Sequence, residues 1–249
     1  MRAIETVKVA RAKDRAHGED FIENICDNFF ELCGDRAFAE DKAIIGGLCR
    51  IGDHVVTVLA IEKGRTTEDR QLRNFGMPHP EGYRKSLRLM KQANKFKRPI
   101  VCFVDTAGAY PGLEAEERGQ GTAIAENLME MAGFDVPIIT ILTGEGGSGG
   151  ALALSAANEV YMLENSIYSV ISPEGCASIL FKDSSKAEDA AEALKLTAQD
   201  MLRLGVIEGI INEGDGLMNR IKELIIARLD VLKNEINLRE QRYDRFRKF

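Results

Sequence analysis

No apolar run in the 249 residues reaches the roughly 18 that a membrane-spanning helix needs. Residues 1–20 are rich in charge and hold no apolar h-region, so no signal peptide is expected. The five cysteines, Cys26, Cys33, Cys49, Cys102 and Cys176, are scattered, and none forms a Cys-x-x-Cys pair. That argues against a zinc or redox site, predicts no metal in this chain and fits a reducing cytoplasm. Cys102 lies inside an apolar run and reads as a small core residue. Positive charge is not in excess: the net charge is −6, which argues against general nucleic-acid binding. No Gly-x-x-x-x-Gly-Lys-Ser/Thr occurs, so a P-loop is excluded. Low-complexity linkers are also missing, and one continuous domain over 1–249 is expected.

What is present is an alternation of apolar runs and helical patterns. Residues 20–34 carry Phe21, Ile22, Ile25, Phe29 and Leu32 at helical spacing, which predicts a helix and a helical N-terminal segment over about 1–35. Runs 43–51 and 54–61, split by Gly52 and Asp53, predict a hairpin. Residues 62–80 predict a loop, and a helix follows from near Glu81 to about Phe96, with Tyr83, Leu87, Met90 and Ala93 inward. Then Arg98–Gly108 and Val136–Gly144 each read as a strand entering a glycine-bearing turn. Their Pro-Ile openings lie 38 residues apart, with a helix at about 114–132 between them. A strand–turn–helix unit repeated in this way predicts neighbouring parallel strands. Short strands at 159–163 and 167–171, a helix at 185–204 capped by Gly205, an apolar stretch at 206–211 and a long amphipathic helix at 217–238 complete the pattern. That last helix carries Leu217, Ile221, Leu224, Ile225, Leu229, Leu232 and Ile236 on one stripe, and the core is expected over about 36–212.

Chemistry is concentrated in Gly144–Gly150, where five of seven residues are glycine. The segment predicts a strand, a glycine loop and a helix start, a place with free backbone N–H groups that attracts negative charge. It satisfies three patterns. Gly146-x-Ser148-x-Gly150 is a nucleophile elbow, but that order needs a histidine after the serine, and His17, His54 and His79 all precede it. Gly144-x-Gly146-x-x-Gly149 with Glu164 20 residues on is a dinucleotide fingerprint, but the helix can run only to about Asn158 and several strands come first. The third is an oxyanion hole of backbone donors with no reacting side chain. Close helix–sheet packing would account for one or two of the glycines.

The equivalent turn of the preceding repeat is Asp105-Thr106-Ala107-Gly108-Ala109-Tyr110-Pro111-Gly112. Successive parallel strands end on one side, so the two turns should flank one crevice, with Tyr110 and Pro111 as an apolar wall. Asp105 at a strand end is expected to tie down its loop. Glu114, Glu116 and Glu117 are read as first-turn acids that complement a helix dipole. From Lys63 to Arg98 there are eleven Lys/Arg against three acids, which suits either a phosphate-rich ligand or acidic partner, or a solvated helix face.

The blocks Lys63-Gly64-Arg65, Arg73–Pro78, Pro80–Lys85, Asp105–Gly112, Glu116–Gln120, Gly144–Ala151 and Tyr168–Ala177 together resemble the carboxyltransferase alpha subunit of bacterial acetyl-CoA carboxylase, from about residue 20 to about 212. Ala107 stands where that family often has proline. The resemblance implies an α/β, crotonase-like fold, a spiral of repeated strand-strand-helix units with flanking helices. It implies transfer of a carboxyl group from carboxybiotin, held on the biotin carboxyl carrier protein, to acetyl-CoA, giving malonyl-CoA for fatty acid synthesis in the cytoplasm. It further implies a zinc-containing beta subunit, biotin carboxylase, an alpha2beta2 assembly, and no activity without the beta subunit. By motif match, Gly146 and Gly147 supply the backbone donors that stabilise the biotin ureido oxyanion. Gly108, Ala109, Tyr110, Pro111, Ile171, Ser172 and Pro173 line the substrate. The alternative on the same fold is a coenzyme A thioester hydratase or isomerase, for which Glu145 or Glu174 would have to act.

Overall fold

One eight-stranded sheet organises the chain, and the computed structural model describes residues 1–248 of it. The strands are β1 (Asp27–Glu31), β2 (Ile44–Ile51), β3 (His54–Ile61), β4 (Ile100–Thr106), β5 (Ile138–Gly147), β6 (Glu159–Leu163), β7 (Ile167–Ser169) and β8 (Gly209–Ile211). Their order is β1-β2-β3-β4-β5-β6-β8, and β7 pairs with β5 beside β6. The hairpin forms as read, with Ile51 opposite His54 and Gly52 turning at φ 59°. From β3 onward every pairing is parallel, and Ile100 stands opposite Ile138, the 38-residue repeat made physical.

Helices α1 (Ala3–Ala10), α2 (Gly18–Ile25), α3 (Thr67–Leu72), α4 (Pro80–Lys95), α5 (Leu113–Glu117), α6 (Gln120–Gly133), α7 (Ser148–Leu152), α8 (Pro173–Leu180), α9 (Ala187–Leu194), α10 (Ala198–Arg203), α11 (Leu217–Leu232) and α12 (Leu238–Phe246) pack around it. The strands alternate between two apolar layers. Leu59, Ile61, Ile100, Cys102 and Val104 face Leu87, Met90 and Ala93 of α4 and Met131 of α6. Val58, Ala60, Val101, Phe103, Ile139 and Ile141 face Phe21, Ile22 and Ile25 of α2 and Ile221, Ile225 and Leu229 of α11. A strand apolar on both faces has to be central, which is why β4 and β5 read as unbroken apolar runs.

Five local expectations are corrected. The helix expected over 20–34 ends at Ile25, and Asp27–Glu31 is an edge strand antiparallel to β2, entered through Asn28 at φ 56°. The loop expected over 62–80 contains α3, whose first turn is capped by Thr66 Oγ1 accepting from Asp69 N at 3.2 Å. The helix expected over 114–132 breaks at Gly119, φ 84°. The helix expected over 185–204 breaks at Lys195, φ 53°, although Gly205 terminates α10 at φ 73° as expected. The final helix stops at Leu232, and Ile236, placed on its inward stripe, is 94% exposed. No helix among the described residues is long and apolar enough to cross a membrane.

Candidate functional site

The glycine-rich segment is strand, not loop: β5 runs through Gly147, and α7 begins at Ser148 and ends at Leu152, well short of Asn158. It is held between two neighbours. Gly146 stands opposite Thr106 of β4 on one side and Tyr168 of β7 on the other, and Gly147 opposite Ser169. Between Val104 and Thr106 the β4–β5 register slips, and there Asp105 enters. Its Oδ1 accepts from Glu145 N at 2.7 Å, so Asp105 does tie down the turn.

Close packing explains four of the five glycines. A Cβ on Gly144 would lie 2.4 Å from Asp105 Oδ1, and one on Gly146 2.8 Å from the Tyr168 ring. On Gly147 it would be 2.1 Å from Ala107 O, and on Gly150 2.5 Å from Ala109 N. Only Gly149 has room, its nearest neighbour being Ile124 at 3.6 Å. The two turns therefore press on one another instead of flanking an open crevice.

The open space is on the β7 side. A recess of about 50 Å³ is lined by Gly146, Gly147 and Ser148, by Ala107, by Ile171, Ser172 and Pro173, and by Arg11 and Glu145. Ser172 Oγ accepts from Gly175 N at 3.1 Å and starts α8 there, so the positive end of that helix adjoins the recess. Through Ser148 and Ser169 the recess shares its rim with an apolar cavity of about 480 Å³ walled by Leu152, Val160, Tyr168, Val170 and Met201. A recess with room for one or two small atoms beside a larger apolar cavity suits a polar atom projecting from a bulky apolar ligand.

Other predicted residues fall elsewhere. Gly108 and Ala109 abut Gly147 and Gly150 from the β4 turn. The Tyr110 ring is stacked on His79 with centroids 4.1 Å apart, and neither it nor Pro111 lines the recess. Ser148 is exposed at φ 50°, a bent turn like that of a nucleophile, yet no base serves it. His17 pairs with Glu62, His54 with Asp230 and His79 with Asn74.

Glu145 and Glu174, which a hydratase would need, are both engaged. Arg11 Nε lies 2.7 Å from Glu145 Oε1 and its Nη1 2.8 Å from Glu174 Oε1, and Lys63 Nζ is 3.1 Å from Glu145 and 2.6 Å from Asp105. Burial pushes the Glu145 carboxyl up, but Lys63 and Arg11 outweigh it and hold the group below the usual carboxylate range. The Arg11 hydrogen bond holds Glu174 down too. Carboxylates fixed as anions make poor general acids near neutral pH.

Arg11 and Lys63 were not assigned a role from sequence. The available signal was Glu145, an acid at the end of a buried strand, which requires a cation; nothing local says which one. The basic stretch resolves mostly into internal pairing: Lys85 is fully buried on Glu40 and Ile44 O, Arg84 holds Asp35 and Glu81, and Arg73 holds Glu19 and Asp69. Potential metal-ligand atoms of Glu31, Cys33 and Glu40 lie within 4.8 Å of one another, but all three are exposed and Glu40 is bound by Lys85.

The family described as acetyl co-enzyme A carboxylase carboxyltransferase-like matches residues 1–249. The acetyl-coenzyme A carboxylase carboxyl transferase subunit alpha of Ruminiclostridium cellulolyticum is 59% identical over 223 residues, covering 90% of this chain and 86% of that protein. The subunit of the same name from Streptococcus sanguinis is 55% identical over 249 residues, covering 98% and 97%. Among solved structures, transcarboxylase 12S superposes with a TM-score of 0.77 at 20% identity, over 91% of this chain and 43% of that one. The beta subunit of geranyl-CoA carboxylase from P. aeruginosa gives 0.72 at 17%, over 97% and 46%. At such identities these two speak for the fold alone, and they bear out the crotonase-like expectation. The chain belongs to the acetyl-CoA carboxylase carboxyltransferase family.

Proposed function

We propose that this chain is the alpha half of a carboxyltransferase that moves a carboxyl group from carboxybiotin, presented by a carrier protein, to acetyl-CoA. The observation that carries it is the recess at Gly146 and Gly147, which adjoins an apolar cavity and has no reacting side chain free beside it. Biotin, when bound, supplies the carboxyl group and a ureido oxygen that gains negative charge. The residues present suit such a group: a narrow recess beside the Gly146–Gly147 backbone for one oxygen and an apolar cavity for a fused ring and its tail. The chain's own part is to hold that oxygen near the Gly146–Gly147 backbone and the start of α8, and to keep Glu145 and Glu174 ionised so that neither delivers a proton. Ile171, Ser172 and Pro173 wall the recess, and Gly108 and Ala109 back the turn. Tyr110 and Pro111 shape the outside of that loop.

The same reading gives the partners. A zinc-containing beta subunit supplies much of the acetyl-CoA side, biotin carboxylase charges the carrier, and the working form is an alpha2beta2 assembly in the cytoplasm. All of 1–249 serves as one carboxyltransferase domain. The test is reconstitution. The chain alone should be inactive, and with its beta subunit it should decarboxylate malonyl-CoA in the presence of biotin. A well-folded pair without that activity overturns the proposal.

A further inference from the structure

A second cavity, of about 220 Å³, shares Arg11, Ala107 and Glu145 with the recess at the glycine turn. Its charge is lopsided: Arg11, Arg15, His17, Lys63 and Arg70 line it, against Asp105 and Glu145. Both acids are already taken, by Lys63 and Arg11. His17 is paired with Glu62. Two of the cations keep donors to spare. Arg70 Nε donates to Gly64 O at 3.0 Å, and the side chain forms no ion pair among the described residues. Arg15 is nearly buried, its side chain 9% exposed. Its two Nη atoms donate to Glu213 and to Thr143 O, while its Nε is enclosed and has no hydrogen-bond partner among the described residues. A buried guanidinium N–H without an acceptor is costly, so Arg15 holds its place under strain. The Nη atoms of Arg70 have no hydrogen-bond partner among the described residues, and an anion in the cavity would gain charge-assisted contacts from them.

Part of the lining is apolar, and its backbone is strained. Phe75 and Met77 line it. Asn74 and Phe75 both occupy the left-handed backbone region, at φ 51° and 55°, followed by Gly76 at 72°. Two successive non-glycine residues held there cost energy that ordinary packing does not demand, and such strain concentrates at ligand clamps. Phe75 is half exposed for all that effort.

We propose that this cavity is an anion subsite of the carboxyltransferase site, where Arg70 and Arg15 bind one oxyanion group of the acyl-coenzyme A substrate and Phe75 covers its apolar flank. The inference rests on the carboxyltransferase reading above. The shared chemistry is a carboxylate or phosphate oxyanion, and the substrate offers both: the carboxyl group under transfer and the coenzyme A phosphates.

The experiment uses the chain assembled with its beta subunit, assayed for malonyl-CoA decarboxylation with biotin. Arg70→Ala should raise the KM for malonyl-CoA about tenfold, the size of one lost charge-assisted contact, and leave kcat within about twofold. Arg70→Lys should recover part of the difference. Inorganic phosphate should compete with malonyl-CoA in the unsubstituted enzyme and lose that effect in Arg70→Ala, which a purely structural role would not produce. Malonyl-pantetheine, which lacks the nucleotide phosphates, separates the two sources: a KM difference that vanishes with it assigns the phosphate, and one that persists assigns the carboxylate. An active parent enzyme whose Arg70→Ala variant keeps its KM and its phosphate inhibition overturns the subsite. An inactive parent pair overturns the carboxyltransferase reading instead.

Discussion

Gly147 and Gly149 are two residues apart and should respond oppositely to the same methyl group. At Gly147 the added carbon would sit 2.1 Å from Ala107 O and 2.9 Å from Gly108 N, both backbone, so β5 and the β4 turn must separate. Gly147→Ala should cost about 1–3 kcal/mol by overpacking. It should also abolish activity in the assembled enzyme, because the same shift widens the recess. Gly149 lies inside α7 with only Ile124 at 3.6 Å. Gly149→Ala should therefore stabilise the fold by up to about 0.5–1 kcal/mol through helix preference. Thermal unfolding and turnover measured on both variants decide the matter; equal damage at the two positions would mean that the contact with Ala107 is not what Gly147 is for. Ser148→Ala should keep most of the turnover, since no histidine stands beside Ser148. The packing also limits what the pattern of glycines could say in advance. Five in seven looked like a surplus explained only by a ligand, yet four meet backbone or side chains brought in from β4 and β7, neighbours invisible in the local sequence.

At the scale of elements, what was legible was what local patterning decides. The β2–β3 hairpin followed from two apolar runs around Gly52, and the β4–β5 pair from the Pro-Ile repeat. β1 was misread because Phe29 and Leu32 continue the spacing of α2, while the strand is imposed by pairing with β2, with Phe30 opposite Leu48. The N-terminal segment carries no role in the sequence reading, yet it is tied to distant parts of the chain three times, once at the recess: Arg11 to Glu145, Arg15 to Thr143 O, His17 to Glu62. Contacts between residues so far apart in the chain leave no local mark. The last of the three makes the segment sensitive to pH. The Glu62 hydrogen bond raises the buried His17 above its ordinary value, against the opposing effect of burial. The charged pair therefore stabilises the fold fully below about pH 6.5, where the unfolded histidine is also protonated. The contribution is lost as pH rises through the elevated folded value. Glu62 itself is buried but held low by His17 and by backbone donors, so its share is lost only as pH falls below about 4. The melting temperature of the parent should fall between pH 6.5 and the weakly alkaline range, and His17→Gln should flatten that slope. An unchanged slope would place the titrating group elsewhere.

At the scale of the whole molecule, one ion cluster sits where the chain's distant parts converge. Lys63 follows β3, Asp105 lies near the end of β4, Glu145 lies in β5 and Arg11 comes from the N-terminal segment. Lys63, Asp105 and Glu145 have side chains only 18%, 12% and 11% exposed, so the Coulombic attraction is little screened and so is the penalty for breaking it. Lys63→Met should destabilise the protein by about 3–5 kcal/mol, because it strands Asp105 without a cation and leaves Glu145 to Arg11 alone. The triple variant Lys63→Met, Asp105→Asn, Glu145→Gln should recover much of that loss, since it removes the charges along with their partner. Both effects should appear in urea as a shift of midpoint at constant slope. The reason is connectivity: a single sheet runs from β1 to β8 and the cluster joins three of its central elements, so no part of it can open without exposing the two apolar layers on either face. One cooperative transition is expected for the parent and for the variants. A second transition, or a slope that falls in Lys63→Met, would show that the N-terminal segment and the turns around the recess unfold apart from the sheet.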